Sequence, residues 1–556
     1  MLLVVAWDGA DLNLVEPWMR AGELPNLAAV AERGAVHSLA STIPPVTFPA
    51  WTSFATACDP SWHGITDFTV RDVSSGRLRF VNASWRAQPT IFSRMQAAGL
   101  RTGVLAFPAT WPPEKLSAQI CGFDTPLGSV GSAASEPPEL ASQLIERFGA
   151  LPTGGPDQTR IGPGWHHRAL ESLLASIELR TRAALFLQAD KELDVLAVHF
   201  MESDTAAHHF WQFHDHGSPR FKTEGPEQGL LQVYRALDRS LGQLLEGVGT
   251  DANVMVVSDH GSRGASDQVV FWNRWLSDHG YLAWNPGAGL RGRLGAAVRR
   301  FGIKLVPSWV QRQIWRHAGA AVDALESEHR FGGIDWSQTR VFSEELNYAP
   351  ALWLNLRGRD PQGTVSDNDV EKLVADLQRD LAAFVHPRTG RPIVARLRRR
   401  EEIYSGPFLE RLPDLILELE PIDGYVPACG SSRGGAERAT IRSMTSDEAS
   451  GAKGTFMSGA HDACGVCVLA GPGSVPSATD SLSIEEAGAT ALAMAGVGWP
   501  GAPFARPIAS VAAVAAGDTR SSTATAPQAS APDPQPYDEA GEREVRERLR
   551  ALGYLR

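Results

Sequence analysis

The sequence predicts an α/β protein: a three-layer sandwich with a largely parallel central sheet flanked by helices, plus a helical insertion. Three observations lead there. Short apolar runs alternate with longer helix-like stretches from the first residues onward, the pattern of a parallel sheet covered on both faces. Side chains with metal-ligand chemistry fall at or just beyond the ends of those runs, which is where open α/β sheets place their sites. A hydrophobic content of 43% over 556 residues suits a large globular core.

The elements follow in order. Leu2–Trp7 reads as the first strand, ended by Asp8. It has no basic n-region and no small-residue cleavage site, so it is core rather than signal peptide, and the expected compartment is the cytoplasm. Leu24–Arg33 reads as a helix opening near Pro25, and Ala50–Ala57 as a helix after Pro49. Thr90–Gly99 is a helix closed by its glycine, followed by the strand Thr102–Phe107. A long helix over His167–Ala189 leads to the strand Val195–Phe200, and another over Gln228–Glu246 leads to Val254–Val257. His461 directly precedes a further strand, Val466–Ala470.

Other stretches break this rhythm. Arg291–Arg316 holds seven basic residues and no acid, interleaved with Val, Leu and Trp. It reads as an amphipathic helical insertion, placed at 285–335, with a solvated basic face; a lid for an anionic substrate and a membrane contact are the sharper readings. Residues 430–458 are rich in Gly, Ser and Ala and are expected to form a mobile loop. The catalytic domain is thus expected over 1–515, a disordered low-complexity linker over 516–537, and a C-terminal helix over 538–556. No candidate ligand lies in the last two, so both are expected to be dispensable for catalysis.

The net charge of −11 argues against nucleic-acid binding, which needs a basic face. No run approaches the roughly 18 consecutive apolar residues of a membrane span. Cys464 and Cys467 have redox-motif spacing, but they lead into an apolar strand and read as buried thiols among five unpaired cysteines.

Asp204 and His208 are four residues apart, so on a helix they face the same way and can grip one metal. Asp259 and His260 stand at a strand end before Gly261, where the backbone can turn both toward one site. Carboxylate and imidazole together suit Zn²⁺ or a similar first-row ion such as Mn²⁺. Thr47, at the start of a helix, is the candidate nucleophile. Its hydroxyl needs a metal or base to ionise, and free N–H groups at a helix N-terminus favour anions. Two metals would complete an in-line displacement at phosphorus.

Several stretches carry a resemblance: Val-Val-Ala-Trp-Asp-Gly at 4–9, Pro-Val-Thr-Phe-Pro-Ala-Trp at 45–51 with Trp62-His63-Gly64, Glu202 through Trp211, Val257-Ser-Asp-His-Gly261, and Gly459-Ala-His461 leading to Gly471-Pro-Gly. With these motifs the chain resembles the alkaline phosphatase superfamily over roughly residues 1–510. It is most similar to the branch of type I phosphodiesterases and nucleotide pyrophosphatases and the related predicted phosphohydrolases and phosphomutases. The resemblance implies that Asp204, His208 and His461 hold one metal, and that Asp8, Asp259 and His260 hold the other together with Thr47. His209 stays outside the ligand set, and His63 is expected to support the turn after the nucleophile helix. Where many relatives have an Asn about twenty residues after the nucleophile, this chain has Asp67-Phe68; Arg71 and Arg263 are the candidates for a phosphate clamp. A sulfatase would need Cys or Ser at 47 and Arg at 51, which here are Thr and Trp.

The expected activity is therefore a metal-dependent phosphohydrolase acting on a small phosphate ester, with phosphodiesters favoured over monoesters. A phosphomutase or phosphotransferase would use the same site, and a non-catalytic binding protein is the alternative of a different class. Trp51, Trp85 and Trp211 are candidate walls for a flat substrate group.

Overall fold

The computed structural model describes residues 1–71, 78–126, 134–286 apart from 152, 159, 160 and 250, 331–451 apart from 332 and 349, 456–472, 481–508 and 537–551. The basic segment Arg291–Arg316 and nearly all of the 516–537 linker lie outside them.

A nine-stranded sheet forms the middle layer. Its strands run in the order 482–483, 34–40, 464–470, 253–257, 2–7, 195–200, 102–105, 118–120, 135–136. Leu2–Trp7 lies at its centre, parallel to Val195–Phe200 on one side and Asn253–Val257 on the other. All six of its residues are buried, as expected of a strand covered on both faces. Alternation then divides them. Leu3, Val5 and Trp7 join a core with helices Trp165–Lys191 and Gly229–Val248. Leu2, Val4 and Ala6 join the opposite core with helices Thr47–Thr56, Ile91–Ala97 and Ile484–Met494. This is the expected sandwich.

Cys464–Ala470 runs antiparallel to both of its neighbours, Gly34–Ala40 and Asn253–Val257. That orientation explains an oddity of the sequence. The other candidate ligands follow their strands, whereas His461 precedes one. An antiparallel strand begins where its neighbours end, so a residue ahead of it reaches the same rim.

Two smaller sheets stand beyond that rim. Gly261–Val270 continues directly from His260 and pairs antiparallel with Gly459–Asp462, Ser262 opposite His461. It also pairs with Val426–Cys429 and Ile441–Ser443. Part of the expected loop over 430–458 is therefore strand, drawn into register by the long edge of Gly261–Val270. An antiparallel sheet of strands 341–342, 351–354, 415–419 and 394–399 packs with helix Asp367–Ala382 around its own apolar cluster.

The last described residues form a packed element. Tyr537 stacks on Trp111 at 4.7 Å and 10°, and its hydroxyl donates to the Asp124 carbonyl. On helix Glu539–Ala551, Val545 and Leu549 are buried in a cluster with Val46, Phe48, Phe68 and Trp85. Val46 and Phe48 flank Thr47, so these contacts tie the tail to the candidate site. Each buried apolar side chain contributes about 1.5–3 kcal/mol. Truncation before Tyr537 should lower the thermal midpoint by at least about 3 °C and reduce turnover. A calorimetric scan identical to that of the full chain would refute the packing argument.

Candidate metal centre and nucleophile

Thr47 is the first residue of helix Thr47–Thr56, three residues earlier than the sequence suggests. Pro49 is tolerated because first-turn N–H groups have no helical partner. Thr47 is fully buried, and its Oγ1 lies 3.5 Å from His260 Nε2.

Asp8 is held from behind. Its Oδ2 accepts from the Trp51 indole at 3.1 Å and pairs with His199 Nε2 at 2.9 Å. Its Oδ1 has no hydrogen-bond partner and lies 3.6 Å from His260 Nε2. Gly9 has φ +63°, and a Cβ there would lie 3.0 Å from Asp204 Oδ1, so the turn favours glycine on both counts. The Gly9 amide donates to Asp259 Oδ1, while Asp259 Oδ2 lacks a hydrogen-bond partner and stands 3.3 Å from His260 Nε2.

Asp204 and His208 share one face of helix Glu202–His214, as their spacing predicts, with Asp204 Oδ1 3.2 Å from His208 Nε2. His461 Nε2 is 3.2 Å from His208 Nε2 and 3.6 Å from Asp204 Oδ1. Its ring stacks on His260 at 3.7 Å. All seven expected residues therefore meet in one place. Two trios have ligand atoms within 4.8 Å of one another: Asp204, His260 and His461, and Asp8, Asp259 and His260. His260 is common to both trios, and His208 adjoins the first.

The three imidazoles share one arrangement. Nδ1 of His208 faces the Gly459 carbonyl, that of His260 the Gly261 carbonyl, and that of His461 the Pro45 carbonyl, each at 2.8–2.9 Å. A carbonyl only accepts, so each Nδ1 carries the proton and donates it. Each ring then turns its Nε2 inward, as metal-ligating histidines do. Burial holds His208 and His461 below the usual imidazole range, with a backbone hydrogen bond opposing it in each. Two lone pairs facing each other at 3.2 Å repel unless a cation lies between them.

The carboxylates make the same demand. Burial, reinforced by the charge of Asp8, raises Asp204 to about 8 and raises Asp259 as well. Asp8 is also buried, but the hydrogen bonds it accepts from His199 and Trp51 help to hold it low. Asp8, Asp204 and Asp259 each turn one orphaned oxygen toward the cluster. Buried charge of this kind needs a counter-ion, so the donor set fits divalent cations.

His199 was not legible as a site residue, although it is the one polar side chain in the apolar run Val195–Phe200. Burial keeps it below its ordinary range, so it is neutral and donates Nε2–H to Asp8. Arg180 donates to the His199 carbonyl at 2.7 Å and pairs with Glu202 at 3.1 Å, fixing the strand end. His199→Leu should weaken metal binding by about 10–100-fold, with His199→Gln milder, as read by chelator competition. Equal affinity in all three proteins would remove His199 from the site.

The remaining candidates settle individually. His63 bonds Ser53 Oγ and the Ile65 amide, supporting the turn after the nucleophile helix. His209 bonds Gln158 away from the ligand set. Arg71 pairs with Asp360 and Arg263 with Asp462. Trp51 is buried behind Asp8 rather than lining a pocket, Trp211 donates to Asp215, and Trp85 lines a cavity. Cys467 is buried as expected, but Cys464 is exposed.

The family model of type I phosphodiesterases and nucleotide pyrophosphatases matches residues 2–431, and the chain belongs to that family, within the alkaline phosphatase superfamily. It is accordingly a hydrolase of phosphate esters. The phosphonoacetate hydrolase of Sinorhizobium meliloti 1021 is a structural relative with TM-score 0.51 and 16% identity, covering 89% of this chain and 95% of that one. Murine ectonucleotide pyrophosphatase/phosphodiesterase 5 has TM-score 0.46 and 12% identity, over 89% and 95% of the two chains. No curated protein matches the sequence. Among the described residues, no helix is long and apolar enough to cross a membrane.

Proposed function

We propose that the chain hydrolyses phosphodiesters through a Thr47 phospho-enzyme, with two divalent cations in the cluster. The observation that carries this reading is the convergence of three orphaned carboxylate oxygens and three Nε2 lone pairs beside the Thr47 hydroxyl. Asp204, His208 and His461 would hold one cation, and Asp8, Asp259, His260 and Thr47 the other. Bound there, the cations would favour the Thr47 alkoxide and neutralise charge on the leaving oxygen. Thr47 Oγ1 attacks phosphorus, the ester P–O bond breaks, and the alcohol departs. First-turn amides of the Thr47 helix hold the phosphoryl oxygens. Water then cleaves the phosphothreonine. The nitrogen and oxygen donors suit Zn²⁺, with Mn²⁺ second.

Five cysteines without a disulfide support a reducing compartment such as the cytoplasm. A panel of bis(4-nitrophenyl) phosphate, 4-nitrophenyl phosphate and phosphonoacetate, run with and without chelator, tests the reading. The diester should turn over fastest, and chelation should abolish turnover until Zn²⁺ or Mn²⁺ is restored. Chelator-insensitive turnover would overturn it. Transfer of phosphate to an added alcohol, in place of water, would identify a phosphotransferase.

A further inference from the structure

Helix Glu202–His214 and the strand Gly459–Asp462 are joined at one residue. Ser458 donates both its amide and its hydroxyl to the His208 carbonyl, at 2.8 and 3.0 Å. Its Oγ accepts from the Gln212 amide, and its carbonyl from the Ala265 amide. The next carbonyl, that of Gly459, accepts from His208 Nδ1 at 2.9 Å. The placement of Ser458 and Gly459 therefore sets the His208 ring and the start of the strand that carries His461.

What holds Ser458 in turn is Arg220. Its guanidinium donates to the carbonyls of Met457, Phe456 and Ala449, the last two at 2.7 and 3.0 Å. Residues 456–458 belong to no helix or strand, so Arg220 supplies partners that a ladder would otherwise give. It reaches them from the stretch just past the helix of Asp204 and His208, and the circuit closes on that helix through Ser458. Arg220 is 7% exposed and has no ion pair among the described residues. Burial pulls it down to about 10, with the charge of Asp267 opposing. A cation buried without a carboxylate needs every N–H well bonded, and here the converging carbonyls meet that need. A second arginine offers a comparison. Arg442 pins the same segment farther from His461, pairing with Glu437 at 3.1 Å and Glu448 at 2.8 Å, and neither partner adjoins Ser458.

We propose that Arg220 is a positioning residue for the cation assigned to Asp204, His208 and His461. It fixes the carbonyls of Phe456 and Met457, these place Ser458, and Ser458 ties His208 to the strand of His461. The inference rests on that assignment of the cation. Arg220 touches neither ligand, so its effect on the metal runs wholly through the segment it clasps.

Zn²⁺ binding to the full chain, read by competition with a chromogenic chelator, tests this beside thermal midpoints of the metal-free proteins. The wild type should hold about two equivalents. Arg220→Gln should weaken one of them, the one that His208→Ala also loses, by about 10–100-fold, the usual effect of losing an outer partner of a ligand. The other equivalent should stay unchanged. Arg220→Lys keeps the charge but not the planar fork, so it should fall between. Ser458→Ala should weaken the same equivalent, and it carries the test if Arg220→Gln fails to fold. Arg442→Gln should keep both equivalents, although it loosens the same segment and lowers the metal-free midpoint. Wild-type affinity for both equivalents in Arg220→Gln or in Ser458→Ala overturns the proposal and leaves the metal centre standing. So does an equal loss in Arg442→Gln, which would make Arg220 a stabiliser of the segment and nothing more. A wild type that binds no Zn²⁺ overturns the metal assignment itself, and the proposal with it.

Discussion

Thr47→Ala lowers turnover of a phosphodiester by at least about a thousandfold while the protein keeps most of its metal. The reason is geometric. Thr47 contributes one hydroxyl to a site where Asp8, Asp259 and His260 remain in place, and its side chain makes no helix-capping hydrogen bond. The first turn of the helix, with its free amides, survives as well. Thr47→Ser restores part of the rate because the hydroxyl returns. Stopped-flow rates paired with elemental analysis check both halves of the statement. A Thr47→Ala enzyme within tenfold of the wild type would dismiss the covalent route.

His461→Ala or His208→Ala removes one cation, and metal content falls from about two equivalents toward one. Each variant strips an Nε2 donor from the group around Asp204 and leaves the Asp8–Asp259–His260 group intact. Turnover should fall by a hundredfold or more, roughly the effect of losing charge stabilisation in a transition state. A third variant separates placement from ligation. A Cβ at Gly459 would lie 2.2 Å from the Ala207 carbonyl, so Gly459→Ala must push the strand of His461 away from the helix of His208. It should lose the same metal ion with every ligand still present. Full occupancy in all three variants would mean that the ligands have been grouped wrongly.

The sequence disclosed most of this where one chemical pattern dominates. Leu2–Trp7 and Val195–Phe200 are continuous apolar runs buried on both faces, and their boundaries match the strands. Asp204 and His208 were legible from helical spacing alone. His461 was legible as a ligand only through resemblance, because its placement depends on the direction of the strand after it. Residue identities do not state direction; the register against Gly34–Ala40 and Asn253–Val257 does. His199 was hidden for the opposite reason. Its neighbours are so apolar that it passes for core, and only its contact with Asp8 across 191 residues of chain gives it a role. Trp51 misled similarly: an aromatic near a nucleophile suggests a wall, but its indole N–H serves the carboxylate behind the site. The family match ends at 431, short of His461, so its assignment as a candidate ligand rests on geometry.

The docking of the last described helix bears on how the protein is made. Phe48, beside Thr47, shares its apolar cluster with Leu549, so about 500 residues must be synthesised between them. At roughly 5–20 residues per second this takes on the order of 25–100 s. During that interval Phe48, Phe68 and Trp85 lack their final cover, and for most of it His461 has not emerged either. The nascent chain therefore carries an exposed aromatic patch until helix Glu539–Ala551 has been made. Closure of the surroundings of Thr47 therefore waits for Leu549, and the chain's vulnerability to misassociation is concentrated before that helix is made.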